Sequence, residues 1–131
     1  YEEQELKQFE HIESEWPLFY TYLYLDAIFR DDIPQISHYR TRLDALLVEQ
    51  NGQKLLPELY FLPENCFEQE RLDPGPQKRI PNHNLTPVWA SLLYFPGCLL
   101  EHDLMPLGHL DPLVRWHPQI TKQHILHLVL L

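Results

Sequence analysis

The chain has little of several features that mark large classes of protein. It holds two cysteines in 131 residues, Cys66 and Cys98, with no CxxC pair, so the sequence indicates neither a zinc site nor a disulfide framework. Basic residues are scarce, and the net charge of −9 argues against a nucleic-acid-binding face. No apolar run reaches the roughly 18 residues that a membrane span requires.

What is present is typical of a globular protein. Apolar residues make up 44% of the chain and charged residues 22%, which is enough to bury a core. The length allows one domain at most, or a piece of a larger one. Free thiols favour a reducing, cytoplasmic setting. The chain opens on Tyr1 and closes on the apolar run HILHLVLL, so we expect a segment of a longer protein.

A first helix is predicted over ESEWPLFYTYLYLDAIFRDD. Ser14 is its candidate N-cap, and Pro17 fits the first turn, where a missing N–H matters least. One apolar stripe at helical spacing consists of Leu18, Tyr22, Leu25 and Phe29. The segment is apolar almost all round, so we expect other helices to enclose it.

A second, amphipathic helix is predicted over IPQISHYRTRLDALLVEQNG. Asp32 is its candidate N-cap, with Pro34 just inside, and Gly52 after Asn51 supplies the C-terminal stop. Its apolar stripe includes Ile36, Tyr39 and Leu43.

Five prolines between Leu55 and Leu85 exclude a long regular element there. We expect a long ordered loop, with a short strand at LYFLP and a helical turn or two at ENCFEQERLD.

A third helix is predicted over NLTPVWASLLYFPGCLLEHDL, capped by Thr86 with Pro87 at the first helical position. Pro96-Gly97 should kink or split it. Its predicted buried side consists of Val88, Leu92, Phe95, Leu99 and Leu100. Together the three helices predict an all-α fold.

Three motifs in this order carry a family resemblance: IESEWPLFYTYLYLDAIF, LLPELYFLPE and LTPVWASLLYFPGCLL with LDPLVR after it. They resemble the C-terminal part of the glucoamylase-like region of glycoside hydrolase family 15. The likeness is strongest to the branch that includes the α and β regulatory subunits of phosphorylase kinase. It runs from about residue 10 to residue 115.

The resemblance implies the C-terminal segment of an (α/α)6 toroid, with the long loop over the mouth of a central sugar pocket. Residues 1–118 would belong to that domain. Residues 119–131 would begin a following segment with a short strand.

The resemblance also implies a role for Glu58. Inverting hydrolysis of α-glucosidic bonds needs two carboxyl groups on opposite faces of the sugar. Glu58 in LLPEL falls on the family's general-base position, although Leu59 stands where the hydrolases have Gln. The general acid belongs to an upstream motif that this chain lacks, since Glu13 and Glu15 lie in the wrong motif. The alternative for Glu58 is a structural loop carboxylate bonded to backbone N–H groups.

Aromatic side chains are the candidate sugar-binding residues. Tyr60 is next to Glu58, and Trp16 and Trp89 can stack on a sugar ring, with core packing as the alternative for both tryptophans. Asp26 is either a pocket-facing polar group or a buried residue that pairs with a neighbour, and we favour the second interpretation.

Neither the basic residues nor the histidines indicate a site. For the Lys78-Arg79 pair the alternatives are a pair that docks the loop or contacts a ligand and a solvated basic pair, and we favour the solvated pair. The eight histidines show no ligand spacing, so we predict no metal and no cofactor.

Three hypotheses therefore stand, the third and least specific being a remnant or open reading frame whose product folds poorly alone. In the first, the chain is part of an α-glucan hydrolase and is itself inactive. In the second, it is part of a phosphorylase kinase α/β-like regulatory module in glycogen metabolism that binds a sugar or a protein without hydrolysis. Expected partners are an α-glucan or oligosaccharide, and either the rest of the same domain or another protein. No nucleic acid, membrane span or calmodulin-binding helix is predicted.

Overall fold

The computed structural model describes residues 2–83, 85, 89–113 and 115, and it is mostly helical with small antiparallel strand pairs, which confirms the all-α expectation. The α-helices are α1 (Glu3–Gln8), α2 (Pro17–Phe29), α3 (Ile33–Ala45), α4 (Phe67–Leu72) and α5 (Trp89–Glu101). The strands are β1 (Val48–Gln50), β2 (Gln53–Leu55), β3 (Tyr60–Phe61) and β4 (Ile80–Pro81). Two 3₁₀ turns lie at Glu64–Cys66 and Leu107–His109.

Helix α2 starts later than predicted. Pro17 occupies its first turn as expected, but Trp16 is the N-cap and has an extended backbone with no side-chain cap. Ser14 is therefore not the cap. The reason is that Glu15 exchanges two backbone hydrogen bonds with Tyr60, at 2.8 and 2.7 Å, which holds the chain before Trp16 in an extended conformation.

Helix α3 begins as predicted and ends early. The Asp32 carboxylate accepts a hydrogen bond from the backbone N–H of Gln35 at 3.2 Å, which confirms the N-cap. The helix ends at Ala45, so the predicted stop at Gly52 is wrong. Asn51 and Gly52 instead form the turn of the β1–β2 hairpin, with φ of 53° and 75°. Two successive left-handed residues favour a type I′ turn, which matches the twist of paired strands.

Helix α2 packs against both α3 and α5. It is antiparallel to α3. It is parallel to α5, because Leu18 and Ala90 line one pocket at the start of both helices, and Ile28 and Leu100 line another at their ends. The α2–α5 contact is close: a Cβ added to Gly97 would lie 2.5 Å from Cε1 of Tyr24.

The buried faces of α2 and α5 differ from those predicted. In α2 the buried residues are Pro17, Thr21, Tyr24, Ala27 and Ile28, whereas Tyr22 is 48% exposed. In α5 they are Ala90, Ser91, Tyr94, Gly97 and Leu100. Of the predicted core positions in α5, Leu92, Phe95 and Leu99 are 64, 46 and 41% exposed. Small residues face α2 because the two helices approach closely, and this leaves the larger apolar side chains outside.

Helix α5 continues through Pro96 without splitting. Several predictions for this region lie outside the described residues: the Thr86 cap, Pro87, Val88, and the whole of segment 119–131 with its strand.

The proline-rich region confirms the predicted long ordered loop with little regular structure. Strand β3 lies within LYFLP and pairs with β4, and ENCFEQERLD forms the first 3₁₀ turn followed by α4. With the Glu15–Tyr60 bridge, three chain segments meet around β3. This arrangement fixes the backbone that follows Glu58.

Candidate functional site: a tryptophan-lined pocket at the start of helix α2

A concave pocket of about 400 Å³ opens where α2 begins, beside the Trp89 end of α5. We call it the N-end pocket. Its lining residues are Trp16, Leu18, Leu56, Pro57, Glu58, Trp89 and Ala90. Three of the four residues singled out from the sequence as site residues, Trp16, Glu58 and Trp89, therefore line one pocket.

The two tryptophans are exposed enough to meet a ligand. Trp16 is 39% exposed and Trp89 is 65% exposed. Leu56 and Pro57, in contrast, are buried and form a fixed apolar wall. An indole beside such a wall presents a large flat apolar surface to a ligand.

Glu58 is positioned by the strands next to it. The Asn82 side-chain amide donates to Glu58 Oε2 at 3.4 Å, and the Asn82 backbone N–H donates to the Leu59 carbonyl at 3.0 Å. The Glu58 side chain is exposed, and it carries the one carboxylate among the residues that line the N-end pocket. The structure thus shows an oriented carboxylate in a largely apolar pocket.

Tyr60 is placed differently from the tryptophans. It is not among the lining residues of the N-end pocket, and its hydroxyl donates to the Leu46 carbonyl at 2.8 Å. Burial, with a further effect of the Glu15 charge, raises the pKa of Tyr60. In the structure this side chain ties β3 to the end of α3.

Glu15 braces the Trp16 side of the pocket. Its Oε1 accepts hydrogen bonds from the Tyr20 hydroxyl at 3.0 Å and from Arg42 Nη2 at 3.2 Å. The Arg42 guanidinium also lies 4.5 Å from the Tyr20 ring centroid. Burial, together with the bond to Glu15, raises the pKa of Tyr20, so its hydroxyl stays a donor. Sequence pattern did not indicate this role of Glu15, since its partners lie on two different helices.

For Arg79 the favoured interpretation as part of a solvated pair is wrong, and its contacts agree with the alternative, in which the pair docks the loop. Lys78 is exposed, but the Arg79 side chain is 16% exposed and pairs at 2.8 Å with Glu70, which is 3% exposed. Arg79 Nε also donates to the Glu13 carbonyl at 2.9 Å, and Glu70 Oε1 accepts from the Gly75 N–H at 3.0 Å. This buried pair connects α4 and the long loop to the segment that carries Trp16.

Asp26 pairs with a neighbour, as favoured from the sequence, but the expected burial is wrong, because its side chain is 50% exposed. Its carboxylate accepts from Arg30 Nε at 3.1 Å, one helical turn away, although both side chains are solvent-accessible.

The described ranges contain no His, Cys, Asp and Glu group arranged to hold a metal ion. His117, His124 and His127 lie outside those ranges. Within the same ranges, no helix is both long and apolar enough to cross a membrane.

Comparison with known proteins relates the chain to one group of relatives. No protein-family model matches it. It is 41% identical over 126 residues to the skeletal muscle isoform of the phosphorylase b kinase regulatory subunit alpha from Mus musculus, and that match covers 95% of the chain. It is 45% identical over 116 residues to the liver isoform from Takifugu rubripes, and 40% identical over 116 residues to a probable alpha subunit from Caenorhabditis elegans, each match covering 88% of the chain. These relatives are regulatory alpha subunits of phosphorylase b kinase.

The matches cover about 10% of the mouse subunit and 9% of the Takifugu subunit, so the chain spans about a tenth of these relatives. The alpha-subunit relatives support the phosphorylase kinase branch of the resemblance. They do not bear directly on glycoside hydrolase family 15.

Proposed function

We propose that this chain is a segment of a phosphorylase kinase-type regulatory alpha subunit, and that its N-end pocket binds a glucose unit of an α-glucan without hydrolysing it. The observation that carries the proposal is that two exposed indoles and one oriented carboxylate line the same pocket. The alpha-subunit relatives support the regulatory part of the proposal.

The chemistry of the pocket suits a sugar. The C–H face of a pyranose packs against an aromatic ring, while a carboxylate accepts hydrogen bonds from the sugar hydroxyls. Trp16 and Trp89 supply the first kind of contact and Glu58 the second. A volume of about 400 Å³ lies within the range of small-molecule sites, and their usual lining is apolar with few polar groups.

Hydrolysis requires more than the pocket contains. An inverting glycosidase places a general acid across the sugar from the base, and Glu58 is the one acidic residue lining this pocket in the described chain. Loss of a general acid forfeits typically 10²–10⁴-fold in rate. We therefore propose a binding role for this segment, within a larger all-α toroidal domain in a cytoplasmic protein.

The test is a binding measurement on the full-length protein. Maltoheptaose should quench tryptophan fluorescence with a saturable dependence, and Trp89→Ala should weaken the affinity by about tenfold, which corresponds to about 1.4 kcal/mol. Leu92→Ala, at another exposed apolar position on α5, is the matched control and should bind normally.

The carboxylate is tested in the same way. Glu58→Gln keeps the side-chain shape and should weaken maltoheptaose binding by several-fold, whereas Glu68→Gln on α4 should not. Saturable binding that is unaffected by both Trp89→Ala and Glu58→Gln would place the sugar elsewhere and reject the proposal.

Hydrolysis in the whole parent protein is the second candidate function. It is favoured by one observation, the position of Glu58 in LLPEL within a concave pocket. Glucose release from maltoheptaose by the full-length protein, abolished by Glu58→Gln, would establish this function. The absence of glucose release alongside saturable binding is the result that the binding proposal expects.

A further inference from the structure

A second concave surface lies at the opposite end of the parallel helix pair, where α2 and α5 end. It has a volume of about 580 Å³, and we call it the C-end groove. Its lining residues are Ile28, Asp31, Ile33, Ile36, Ser37, Leu100, Glu101, Asp103, Met105, Pro106 and Leu107.

The floor of the C-end groove is apolar and well packed. Ile28 and Leu100 are 7% and 6% exposed, so the floor belongs to the protein core. At the rim, Ile33 leaves 63% of its surface in water. Met105, half-buried, adds an unbranched side chain that adapts to differently shaped ligands. Such a surface gains free energy when an apolar side chain covers it.

The charged residues lining the groove all have one sign. They are Asp31, Glu101 and Asp103, with no Lys or Arg among the lining residues. Glu101 is already paired, since Arg40 Nη1 donates to it at 3.0 Å and the Tyr24 hydroxyl donates to the same oxygen. Within the described part of the chain, Asp31 and Asp103 form no ion pair with a Lys, Arg or His side chain.

The two aspartates occupy equivalent positions after two helices. Asp31 and Asp103 each have a φ of 55°. The Asp31 N–H donates to the Ile28 carbonyl and the Asp32 N–H to the Ala27 carbonyl; Asp103 and Leu104 repeat this pattern with Leu100 and Leu99. This pair of bonds is the Schellman motif, in which the left-handed residue is usually glycine.

An aspartate is a poor choice for such a position on two counts. Its Cβ makes the left-handed conformation less favourable than it is for glycine. Its negative charge also lies beside the negative end of the helix dipole, which disfavours anions. Both disadvantages apply to Asp31 after α2 and again to Asp103 after the parallel helix α5. A charge placed against local preferences indicates a requirement beyond folding.

We propose that the C-end groove docks a segment of a partner polypeptide, which inserts an apolar side chain over Ile28 and Leu100 and places lysine or arginine near Asp31 and Asp103. The charge complementarity selects the partner, because the two aspartates, which form no ion pair within the described chain, and two helix C-terminal ends favour a cationic segment. This docking is independent of sugar binding in the N-end pocket, since the two surfaces share no lining residue.

The first test uses the full-length protein purified with its bound subunits and treated with a carbodiimide, which joins a carboxylate directly to a neighbouring lysine. Mass spectrometry should find Asp31 or Asp103 linked to a lysine of a different polypeptide. Links only to lysines of the same polypeptide, or no links at these two residues, would overturn the proposal, as would recovery of the protein without any bound subunit.

The second test separates docking from folding. The double variant Asp31→Asn with Asp103→Asn should weaken subunit association by about tenfold, an effect on the scale expected for two partly desolvated charge pairs. Its melting temperature should be the same or higher, because Asn suits left-handed positions and removes both repulsions.

The matched control is Asp73→Asn, which removes one exposed charge after α4 and should leave association unchanged. Unchanged association in the double variant would reject the groove as a docking site. A lowered melting temperature would show that the two aspartates serve the fold.

Discussion

The N-end pocket and the C-end groove lie at opposite ends of one parallel helix pair, and their charges relate to the helices in opposite ways. At the N-end pocket, Glu58 lies beside the first residues of α2, where the helix dipole favours an anion. At the C-end groove, Asp31 and Asp103 lie beside helix C-terminal ends, which disfavour anions. The carboxylate of the N-end pocket is thus stabilised by the helix dipole beside it, whereas the two aspartates of the C-end groove are destabilised by the dipoles beside them.

The region between the two surfaces holds a partly buried polar network. Tyr24 donates to Glu101, and the Tyr94 hydroxyl donates to Asp44 at 2.5 Å. Arg40 bonds both Asp44, at 3.0 Å, and Glu101, at 3.0 Å. Burial, followed by these carboxylate bonds, raises the pKa of Tyr24 and of Tyr94 far above the usual range, and burial also raises the pKa of the Cys98 thiol. The network fixes α3 and α5 around α2, so both surfaces have rigid floors.

The largest effect is expected from breaking the support of the N-end pocket. Arg79→Ala leaves the Glu70 carboxylate buried without its cation, and loss of one partner from a buried pair destabilises by about 3–5 kcal/mol. Amide hydrogen exchange in the full-length protein should accelerate across residues 67–82. Lys78→Ala, the exposed neighbour, is the control, and equal exchange in both variants would mean that the pair does not hold this loop.

Gly97→Ala should lower the free energy of unfolding by a smaller amount, and it should disturb both surfaces because it lies where α2 and α5 meet. The added methyl group would lie 2.5 Å from a ring carbon of Tyr24, whose side chain is fully buried and hydrogen-bonded, so the helices must separate. Such overpacking destabilises by typically about 1–3 kcal/mol. Urea unfolding measures the loss. Gly108→Ala, with nothing within 4 Å of its Cβ, should change little, and equal stability of the two variants would contradict the close contact.

The smallest effects compare two consecutive aspartates with opposite relations to their helices. Asp32→Ala removes the α3 N-cap and should lower the free energy of unfolding by about 1 kcal/mol. Asp31→Asn removes a charge from the C-terminal end of α2 and should raise the free energy of unfolding by about 0.3–0.5 kcal/mol. This gain should be smaller at high salt, because salt screens the charge. Thermal melts at two salt concentrations measure both changes. A loss of stability in both variants would mean that Asp31 has a structural role.

Local sequence signals predicted where helices form, but they failed for features that depend on contacts between residues far apart in the chain. The caps and prolines predicted α3 from Asp32 and the first turn of α2, because these depend on a few adjacent residues. The Asn51-Gly52 turn was interpreted as a helix stop, although the same dipeptide between two short runs of extended residues is a strong hairpin signal. The buried face of α5 follows from how closely it approaches α2, which no pattern within α5 specifies.

The candidate site shows the same division. Glu58, Trp16 and Trp89 were singled out from their chemistry and from motif order, and the structure brings them to one pocket. Glu15 and Asn82 were not, because each acts through a partner on another element, and for Arg79 the pattern did not identify its buried partner Glu70. The two aspartates of the C-end groove were also missed, since a left-handed backbone cannot be inferred from an Asp that has no glycine beside it.

The parallel packing of α2 and α5 also has a consequence for biosynthesis. Tyr24 and Glu101 are separated by 77 positions in the chain, and the whole hairpin and proline-rich loop must be made before they meet. Contacts of high sequence separation form slowly, since loop closure must precede them. On the ribosome, α2 therefore emerges with its apolar side uncovered while about 70 further residues are translated, several seconds at about 5–20 residues per second. During that interval neither surface exists, because both the N-end pocket and the C-end groove require residues of α5.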